Sequence, residues 1–462
     1  MSSPGPPAGK GAGEGSLEAP TRHALEWRSE SFYDASALDR ELERVFDICH
    51  GCRRCFSLCN AFPTLFDAVD ATDAGEVAGL DRKVFWEVVD HCYLCDMCFM
   101  TKCPYVPPHP WNVDFPHLML RAKAARARRG GLAWRDRVLA ATDTVGAIAG
   151  IPVVAEAVNA LNASEAGRTL LEKALGVDRN APLPTYHMRS ARQRLAGVGT
   201  VRDAGGDDAA RDAPGVRGGA TSGKVAVFTT CYGNRNEPEL AEDLVAVLEH
   251  NGIDVALLGA ERCCGMPRLE LGDLEGVARL KERNIPQLLA AVEAGYDVLA
   301  PIPSCVLMFK QELPLMFPED EGVRRVAARV FDPFEYLMAR HAAGLLRTDF
   351  KVSLGKVSYH VPCHLRVQNI GLKTRDLLRL VPGSSIDTIE RCSGHNGTYG
   401  VKARFRAASM RIGRPVMQRV ESAAPDHYAS DCPMAGHQIE SGLSGARAPE
   451  HPLRLVRIAY GL

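Results

Sequence analysis

The spacing of apolar and polar positions divides this chain into a helical N-terminal part and a C-terminal part of alternating strands and helices. Apolar residues recur at helical spacing from Leu38 to Ile48 and from Asp81 to Asp90, which predicts two helices there. From residue 224 onward, short apolar runs alternate with helical stretches, a pattern typical of parallel sheets in α/β domains. We therefore predict a multidomain α plus α/β protein whose N-terminal domain is α-helical.

The C-terminal part contains an internal repeat. The predicted strands of the two copies are Val225–Thr229, Asp254–Leu258 and Asp297–Ile302, then Val357–Val361, Ser385–Ile389 and His427–Ser430. The predicted helices lie at Pro238–His250, Leu271–Ala294 and Ala403–Val420. The copies are related by a shift of about 130 residues, which a duplication explains.

Length and charge restrict the class of protein. A chain of 462 residues is too long for one core and predicts roughly three or four compact units. The formal net charge of -1 provides no general attraction to nucleic acid, so we expect no nucleic-acid partner. The first 20 residues are rich in Gly, Pro and Ser and contain no apolar run typical of a secretory signal. We expect a cytoplasmic protein.

Fifteen cysteines in such a chain indicate metal binding rather than disulfides, because cytosolic thiols are kept reduced. Eight of them form two closely spaced runs. The first run is Cys49, Cys52, Cys55 and Cys59, and the second is Cys92, Cys95, Cys98 and Cys103, followed by Pro104. In two-cluster ferredoxins, three cysteines of a run bind one 4Fe-4S cluster and the fourth binds the other. We therefore predict one cluster on Cys49, Cys52, Cys55 and Cys103, and the other on Cys92, Cys95, Cys98 and Cys59.

Zinc is the alternative metal for these runs. Zinc sites, however, use separated cysteine pairs and not three consecutive thiolates, so iron is the favoured interpretation. The second run has one more residue between Cys98 and Cys103 than the bacterial ferredoxin pattern, which leaves the predicted number of clusters unchanged.

The remaining seven cysteines follow the predicted strands of the repeats. They are Cys231, Cys263, Cys264 and Cys305 in the first repeat, and Cys363, Cys392 and Cys432 in the second. Open α/β sheets bind ligands beyond the carboxyl ends of their strands. We therefore predict a metal site in each repeat.

These motifs resemble the cysteine-rich (CCG) domains of heterodisulfide reductase subunits. A two-cluster ferredoxin-like domain followed by two such repeats is similar to the iron–sulfur subunits of anaerobic glycerol-3-phosphate dehydrogenase and of glycolate oxidase. The resemblance covers about residues 40 to 445. It implies an oxidoreductase subunit that receives electrons from a flavoprotein dehydrogenase and passes them through clusters to a quinone or a disulfide.

Departures from the family pattern affect the two repeats differently. In the first repeat, Ile302 stands where the family has a further cysteine. The four cysteines that are present suffice to bind a 4Fe-4S cluster or zinc. In the second, Ser393 and Ala435 replace two cysteines, which leaves three thiolates. These three thiolates hold a cluster with an open iron, recruit a non-thiolate ligand, or belong to a vestigial site, and the sequence leaves these alternatives open. The candidate non-thiolate ligands are His364, His395 and His437.

Electron relay is the leading functional hypothesis, because it tolerates a degenerate second site better than disulfide reduction does. Disulfide reduction by the chain itself is the alternative. A non-redox scaffold that zinc ions stabilise and that assembles partner proteins is the least favoured hypothesis. No catalytic acid or base is assigned.

A basic amphipathic stretch from Arg121 to Arg137 precedes an apolar tract from Val138 to Leu161 that Pro152 interrupts. This combination suits an interfacial helix on the cytoplasmic face of a membrane. The alternative is a solvated basic helix beside a buried one.

The domain boundaries follow from these patterns. We predict a disordered tail (1–36), a ferredoxin-like domain (37–120), a helical connector (121–195), a flexible linker (196–223), a first CCG domain (224–350) and a second, degenerate CCG domain (351–462).

Overall fold

The computed structural model describes residues 15–16, 18–101, 103–201, 221–445 and 448–462. The chain divides into two compact units, here called unit 1 (residues up to 132, with 269–274) and unit 2 (133–268 and 275–462). Unit 1 contains helices, and unit 2 contains parallel sheets covered by helices. This confirms the mixed class of helices and α/β sheets.

Unit 1 is built from five α-helices and two short 3-10 turns within its described residues. The helices are α1 (Ala35–Cys52), α2 (Ala61–Asp70), α3 (Arg82–His91), α4 (Met97–Thr101) and α5 (Phe115–Gly130), and the turns are Glu30–Tyr33 and Val77–Gly79. Helix α1 starts where the Asp34 carboxylate accepts a hydrogen bond from Ala37 N, a typical N-cap. Its buried side chains, Leu38, Leu42, Val45 and Phe46, form one apolar stripe that faces the core.

The predicted disordered tail is wrong for most of the residues that the structure describes. Leu25, Trp27 and Phe32 are buried, and the Arg22 guanidinium forms ion pairs with Asp96 and Asp114. The prediction extended the Gly- and Pro-rich character of the first 20 residues to residue 36. The buried side chains come after residue 20, where that composition ends. Residues 1–14 and 17 lie outside the described residues.

Unit 2 contains two parallel sheets. The four-stranded sheet has the order β2-β1-β3-β4, and the three-stranded sheet has the order β6-β5-β7. The strands are β1 (Lys224–Val227), β2 (Asp254–Leu257), β3 (Asp297–Leu299), β4 (Val330–Phe331), β5 (Lys356–His360), β6 (Ser385–Ile389) and β7 (His427–Ser430). The six strands predicted from the sequence are therefore confirmed to within a few residues, and β4 is an additional strand.

Helices of unit 2 precede the first sheet and cover both sheets. Before the first sheet lie α6 (Trp134–Ala140), α7 (Thr142–Ala149), α8 (Pro152–Ala163), α9 (Glu165–Leu175) and α10 (Ala191–Arg194). The first repeat contains α11 (Cys231–Arg235), α12 (Glu239–His250), α13 (Met266–Leu269), α14 (Leu274–Glu293), α15 (Pro303–Leu307), α16 (Leu313–Met316), α17 (Glu321–Ala327) and α18 (Pro333–Ala342), with a π-helical turn at Met308–Glu312. The second contains α19 (Cys363–Arg366), α20 (Lys373–Leu378), α21 (Ala403–Ala423), α22 (Pro433–Glu440) and α23 (Pro452–Tyr460).

One hydrophobic core joins the two repeats. Val225 and Leu244 of the first repeat belong to the same buried cluster as Tyr359 and Leu453 of the second. The two repeats therefore share one hydrophobic core within unit 2.

Three predicted boundaries need correction. Helix α5 continues to Gly130 inside unit 1, so the helical domain does not end at residue 120. The basic stretch from Arg121 to Arg137 is not one helix, because α5 ends before Gly131, which adopts a positive φ of 71°, and α6 begins at Trp134. In the predicted flexible linker, Val201 N donates to Leu257 O, which attaches residues 199–201 to the edge of the first sheet. Residues 202–220 of that linker lie outside the described residues.

Candidate metal centres

Four thiols of unit 1 surround one cavity. Cys49 and Cys52 lie in the last turn of α1, Cys55 follows in the next turn, and Cys103 comes after α4. The cavity is lined by these four cysteines and by Ile48, Arg54, Phe62, Phe66, Tyr105 and Val113. Burial, followed by the adjacent thiols, raises the pKa of Cys49 well above its usual value. The chain thus brings together the four cysteines predicted to share one cluster, in largely apolar surroundings.

The turn after α1 directs Cys55 toward this cavity. Arg53 adopts a left-handed conformation with φ of 52°, and its amide N donates to Cys49 O, which ends the helix. Leu58 N then donates to Cys55 O, so the chain continues as a tight turn. Two-residue gaps between cysteines suit this geometry, because each turn returns a thiol to the same side of the chain.

A second group of thiols gathers around Cys98. Burial raises the pKa of Cys98, and the nearby thiols of Cys55, Cys95, Cys92 and Cys59 raise it further. Two thiols of the first run, Cys55 and Cys59, therefore lie near the second run, and the crossed arrangement requires Cys59 there. Which cysteine binds which cluster stays a prediction.

The loop that carries Cys95 bends through two left-handed residues, Leu94 with φ of 53° and Asp96 with φ of 59°. Such conformations are unfavourable for residues other than glycine and persist only where the surroundings hold them. The Asp96 carboxylate accepts two hydrogen bonds from Arg22, which fixes the loop. Sequence reasoning missed Arg22, because its partners lie 74 and 92 residues away.

Lys123 is a second residue that sequence reasoning misassigned. It belongs to the basic stretch expected to face a membrane or solvent, yet it is buried and donates to Cys92 O and to Glu270 O. Burial raises the pKa of the Cys92 thiol, and the Lys123 ammonium opposes that rise. A cation beside a thiolate set offsets part of the negative charge of the thiolates.

The first repeat brings its four cysteines together at the carboxyl ends of β1, β2 and β3. Cys231 begins α11, Cys263 and Cys264 follow β2, and Cys305 lies in α15. Hydrogen bonds link the thiol of Cys263 to Cys231 and Cys264, and Cys264 to Cys305. Ile302, where the family pattern has a further cysteine, is buried beside this set.

These contacts concentrate negative charge on one sulfur. Hydrogen bonds from Cys231, Cys264 and Thr142 lower the pKa of Cys263 well below its usual value. The same hydrogen bond, together with burial, raises the pKa of Cys231. The Cys263 amide N donates to the Asp143 carboxylate at 2.8 Å, so the start of α7 holds this set.

The second repeat places three cysteines at the corresponding edge of its sheet. Cys363 begins α19 after β5, Cys392 follows β6, and Cys432 precedes α22 after β7. Burial raises the pKa of Cys432 to about 12. Cys392 Sγ accepts a hydrogen bond from Gly394 N at 3.3 Å. Ser393 and Ala435, at the positions of the missing cysteines, are buried.

The three candidate histidines differ in their surroundings. His364 Nδ1 lies 2.8 Å from Ser304 Oγ, and His437 forms ion pairs with Glu237 and Glu440 at 2.9 Å. The pKa of His437 is raised to about 9, chiefly by Glu237. His395, in contrast, has no hydrogen-bond partner for either ring nitrogen among the described residues.

The donor chemistry of these groups fits iron–sulfur clusters, because closely spaced thiolates are their usual protein ligands. No disulfide joins any of the fifteen cysteines, all of which the structure describes. Within the described ranges, no group of three or more His, Cys, Asp or Glu side chains has the arrangement needed to hold a single metal ion. When bound, the clusters would supply reversible one-electron transfer.

Helices α6 to α9 expose apolar side chains. The most exposed are Trp134, Ile148, Ile151, Val153 and Leu170, each more than half exposed. Pro152 begins α8 and breaks the apolar tract, as predicted. In the described part of the chain, no single helix meets the length and hydropathy expected of a membrane span, whereas α7 and α8 meet them only as a pair bent by 105°.

Comparison with known proteins supports this description of the repeats. The profile of the cysteine-rich domain family, CCG, matches residues 225–310 and again residues 357–440. The chain is also similar to one of the subunits of anaerobic glycerol-3-phosphate dehydrogenase from Escherichia coli K12. The two are 29% identical over 354 residues, which cover 75% of this chain and 82% of that protein.

Two further relatives match shorter segments. One of the subunits of fumarate reductase (CoM/CoB) from Methanothermobacter marburgensis is 27% identical over 225 residues, covering 48% of this chain and 42% of the relative. Lactate utilization protein A of Bacillus cytotoxicus is 27% identical over 216 residues, covering 45% of this chain and 87% of the relative.

Proposed function

Because the chain carries two domains of the cysteine-rich CCG family, we propose that it is the iron–sulfur electron-transfer subunit of an oxidoreductase complex. In this proposal, a flavoprotein dehydrogenase reduces two 4Fe-4S clusters in unit 1. Electrons then pass to a further cluster held by Cys231, Cys263, Cys264 and Cys305, and on to a quinone or another acceptor. The similarity to a protein named as part of a dehydrogenase supports a partner of this kind.

The observation that carries the proposal is the meeting of Cys103 with Cys49, Cys52 and Cys55 around one cavity. Cys103 is distant from the other three in sequence, and Cys59 is one of two thiols of the first run that lie near Cys98. Crossed thiol sets are typical of two-cluster ferredoxins, whose adjacent clusters transfer electrons. A ferredoxin-like role for unit 1 follows from this arrangement.

Relay is favoured over disulfide reduction by the chain itself. The second repeat has Ser393 and Ala435 where a full cysteine set would continue, whereas the first repeat retains four thiols. A relay needs only that each cluster be held and be reducible. If the isolated chain reduced disulfides with a chemical reductant, and the Cys392→Ser variant lost that turnover, the alternative would replace the relay.

The test is an iron and sulfide analysis of protein purified without oxygen, combined with EPR of the reduced protein. Three 4Fe-4S clusters correspond to about twelve iron atoms per chain, and a fourth to about sixteen. The Cys59→Ser and Cys103→Ser variants should each lose about four. Ser57→Ala, in the loop between Cys55 and Cys59, is the matched control and should retain all of the iron.

Double variants test the crossing itself. Cys59→Ser combined with Cys98→Ser should lose one cluster, because both residues serve the same cluster. Cys59→Ser combined with Cys55→Ser should lose both clusters, because these two cysteines of one run serve different clusters. If the first double variant lost both clusters and the second lost only one, each run would hold its own cluster. Zinc in place of iron and sulfide would contradict the electron-transfer function altogether.

We further propose that helices α6 to α9 attach the protein to the cytoplasmic face of a membrane. Ile151 and Val153 are 51% and 78% exposed, and Arg135 and Arg137 on α6 supply positive charge. Apolar side chains next to basic ones favour binding at an anionic bilayer. Full burial of one such side chain contributes about 1.5–3 kcal/mol, or roughly tenfold or more in affinity.

Co-sedimentation with phosphatidylglycerol vesicles measures this attachment. The Val153→Asp and Ile151→Asp variants should bind at least about tenfold more weakly, and binding should weaken as salt is added. Leu345→Asp is the control, because Leu345 is 53% exposed but lies outside α6–α9. Equal binding by all variants would remove the membrane role and leave this surface to a partner protein.

A further inference from the structure

We propose that His395 is the fourth protein ligand of the metal site in the second repeat, completing a set with Cys363, Cys392 and Cys432. The inference rests on the proposed function, because it requires that the chain bind iron–sulfur clusters. It assigns a role to a site whose cysteine set is incomplete.

The topology of the second sheet brings the three cysteines to one edge. Strand β5 lies between β6 and β7, and all three strands are parallel. Cys363, Cys392 and Cys432 each follow one of these strands, so they emerge side by side at the carboxyl edge. Three soft ligands are thus provided, one fewer than a 4Fe-4S cluster usually receives from its protein.

The loop that carries His395 is held rigidly against α21. Ser409 Oγ donates to Gly394 O at 2.7 Å, and Gly400 N donates to His395 O at 2.8 Å. Gly394 has a positive φ of 79°, and a Cβ there would lie 2.1 Å from Ser409 O. The loop therefore approaches α21 as closely as glycine allows, which fixes the backbone that presents the imidazole.

His395 interacts with residues that adjoin two of the other proposed ligands. It interacts electrostatically with His364, next to Cys363, and with His437, on the helix that follows Cys432. His395 itself is three residues after Cys392. The imidazole is thus near all three elements that supply thiols.

The environment of its ring nitrogens distinguishes His395, which is half-buried, from the buried histidines His360 and His451. His360 contacts Ser430 Oγ and Arg391 O, and His451 contacts two backbone carbonyls and the Leu453 amide. Both nitrogens of His395 are inaccessible and have no hydrogen-bond partner in the described part of the chain. Inaccessible polar atoms are nearly always paired, so the two unpaired nitrogens make His395 the histidine here whose ring is available as a metal ligand.

The other two histidines near the site are already engaged. His364 contacts Ser304 of the first repeat, and His437 pairs with two glutamates. In a bound state, one nitrogen of neutral His395 donates its lone pair to iron, and the other nitrogen keeps the proton. Replacing thiolate by imidazole raises the potential of an iron–sulfur cluster, as in centres where histidines replace two cysteines.

Nitrogen hyperfine spectroscopy tests the assignment directly. Protein labelled with ¹⁵N-histidine and reduced without oxygen should show a histidine nitrogen coupled to one cluster by electron–nuclear double resonance. The His395→Gln variant should lose this coupling together with about four iron atoms per chain. The matched variant His364→Gln should retain both. His395→Cys should retain the iron, lose the coupling and shift that cluster to a lower potential.

Two outcomes would overturn the assignment while leaving the proposed function intact. One is a wild-type protein that contains iron but shows no histidine coupling. The other is a coupling that survives in His395→Gln. In both cases the clusters of unit 1 remain as an internal standard, whereas a protein without iron and sulfide would contradict the proposed function itself.

Discussion

Replacing Arg22 by methionine should destabilise unit 1 strongly, because this one guanidinium neutralises two buried carboxylates. Arg22 Nη1 lies 2.7 Å from Asp96 Oδ2, and Nε lies 2.8 Å from Asp114 Oδ2. The side chains of Arg22, Asp96 and Asp114 are only 12%, 7% and 20% exposed. Methionine fills similar space but removes the guanidinium from both carboxylates, so Asp96 loses the ion pair and Asp114 keeps only its contacts with His117.

The magnitude follows from the cost of an unpaired buried charge. Removing one member of a buried ion pair costs about 3–5 kcal/mol. Burial alone would raise the pKa of Asp114, yet His117 and Arg22 together lower it from 3.8 to about 2. That shift corresponds to about 2 kcal/mol, and Arg22 contributes only part of it, because His117 contributes as well. We therefore expect a loss of about 3 kcal/mol, including the cost at Asp96.

The pH dependence has a defined sign. Because the pKa of Asp114 is lowered in the folded protein, its contribution to stability is complete above pH 3.8 and disappears as the pH falls through about 2. The stability difference between wild type and Arg22→Met should therefore shrink as the pH is lowered toward 2, because protonated carboxyl groups no longer need the guanidinium.

Urea unfolding without oxygen, followed by circular dichroism, measures this difference. Arg82→Met is the matched control, because Arg82 pairs with Glu43 on the surface, where the two side chains are 45% and 36% exposed. Such pairs contribute at most about 1 kcal/mol. The reasoning would be refuted if Arg22→Met unfolded within about 1 kcal/mol of wild type, or if Arg82→Met were equally destabilised.

Two further predictions concern the metal sites. Gly413→Ala normally favours a helix by up to about 1 kcal/mol, but here it should destabilise the protein in thermal unfolding, because the added Cβ would lie 2.3 Å from Ser393 O. An unchanged or higher melting temperature would contradict this packing. Lys123→Met should lower the midpoint potential of the cluster near Cys92 in a redox titration without loss of iron, because a buried positive charge favours the reduced cluster. Exposed Lys83→Met should leave that potential unchanged, and equal potentials in both variants would exclude the electrostatic role.

Much of the fold could be predicted, because its signals are local. Strands β6 and β7 begin and end where the apolar pattern predicts, and Pro152 interrupts the connector as its fixed φ requires. The crossed arrangement of the eight N-terminal cysteines also came from their spacing, and it stays a prediction. The end of the helical domain was misplaced at residue 120, because basic side chains such as Lys123 resemble surface residues until their buried partners are known.

The sequence by itself determined the two cysteine runs, the duplication, and the places where Ser393 and Ala435 interrupt the second set, since these depend only on residue type and spacing. Tertiary structure decided which polar groups meet. It paired Arg22 with carboxylates 74 and 92 residues away, and it gave partners to His364 and His437 but none to His395 in the described residues. The physical reason is that hydrogen bonds and ion pairs form over a few ångströms in space. The separation of two residues in the sequence does not indicate whether their side chains come that close.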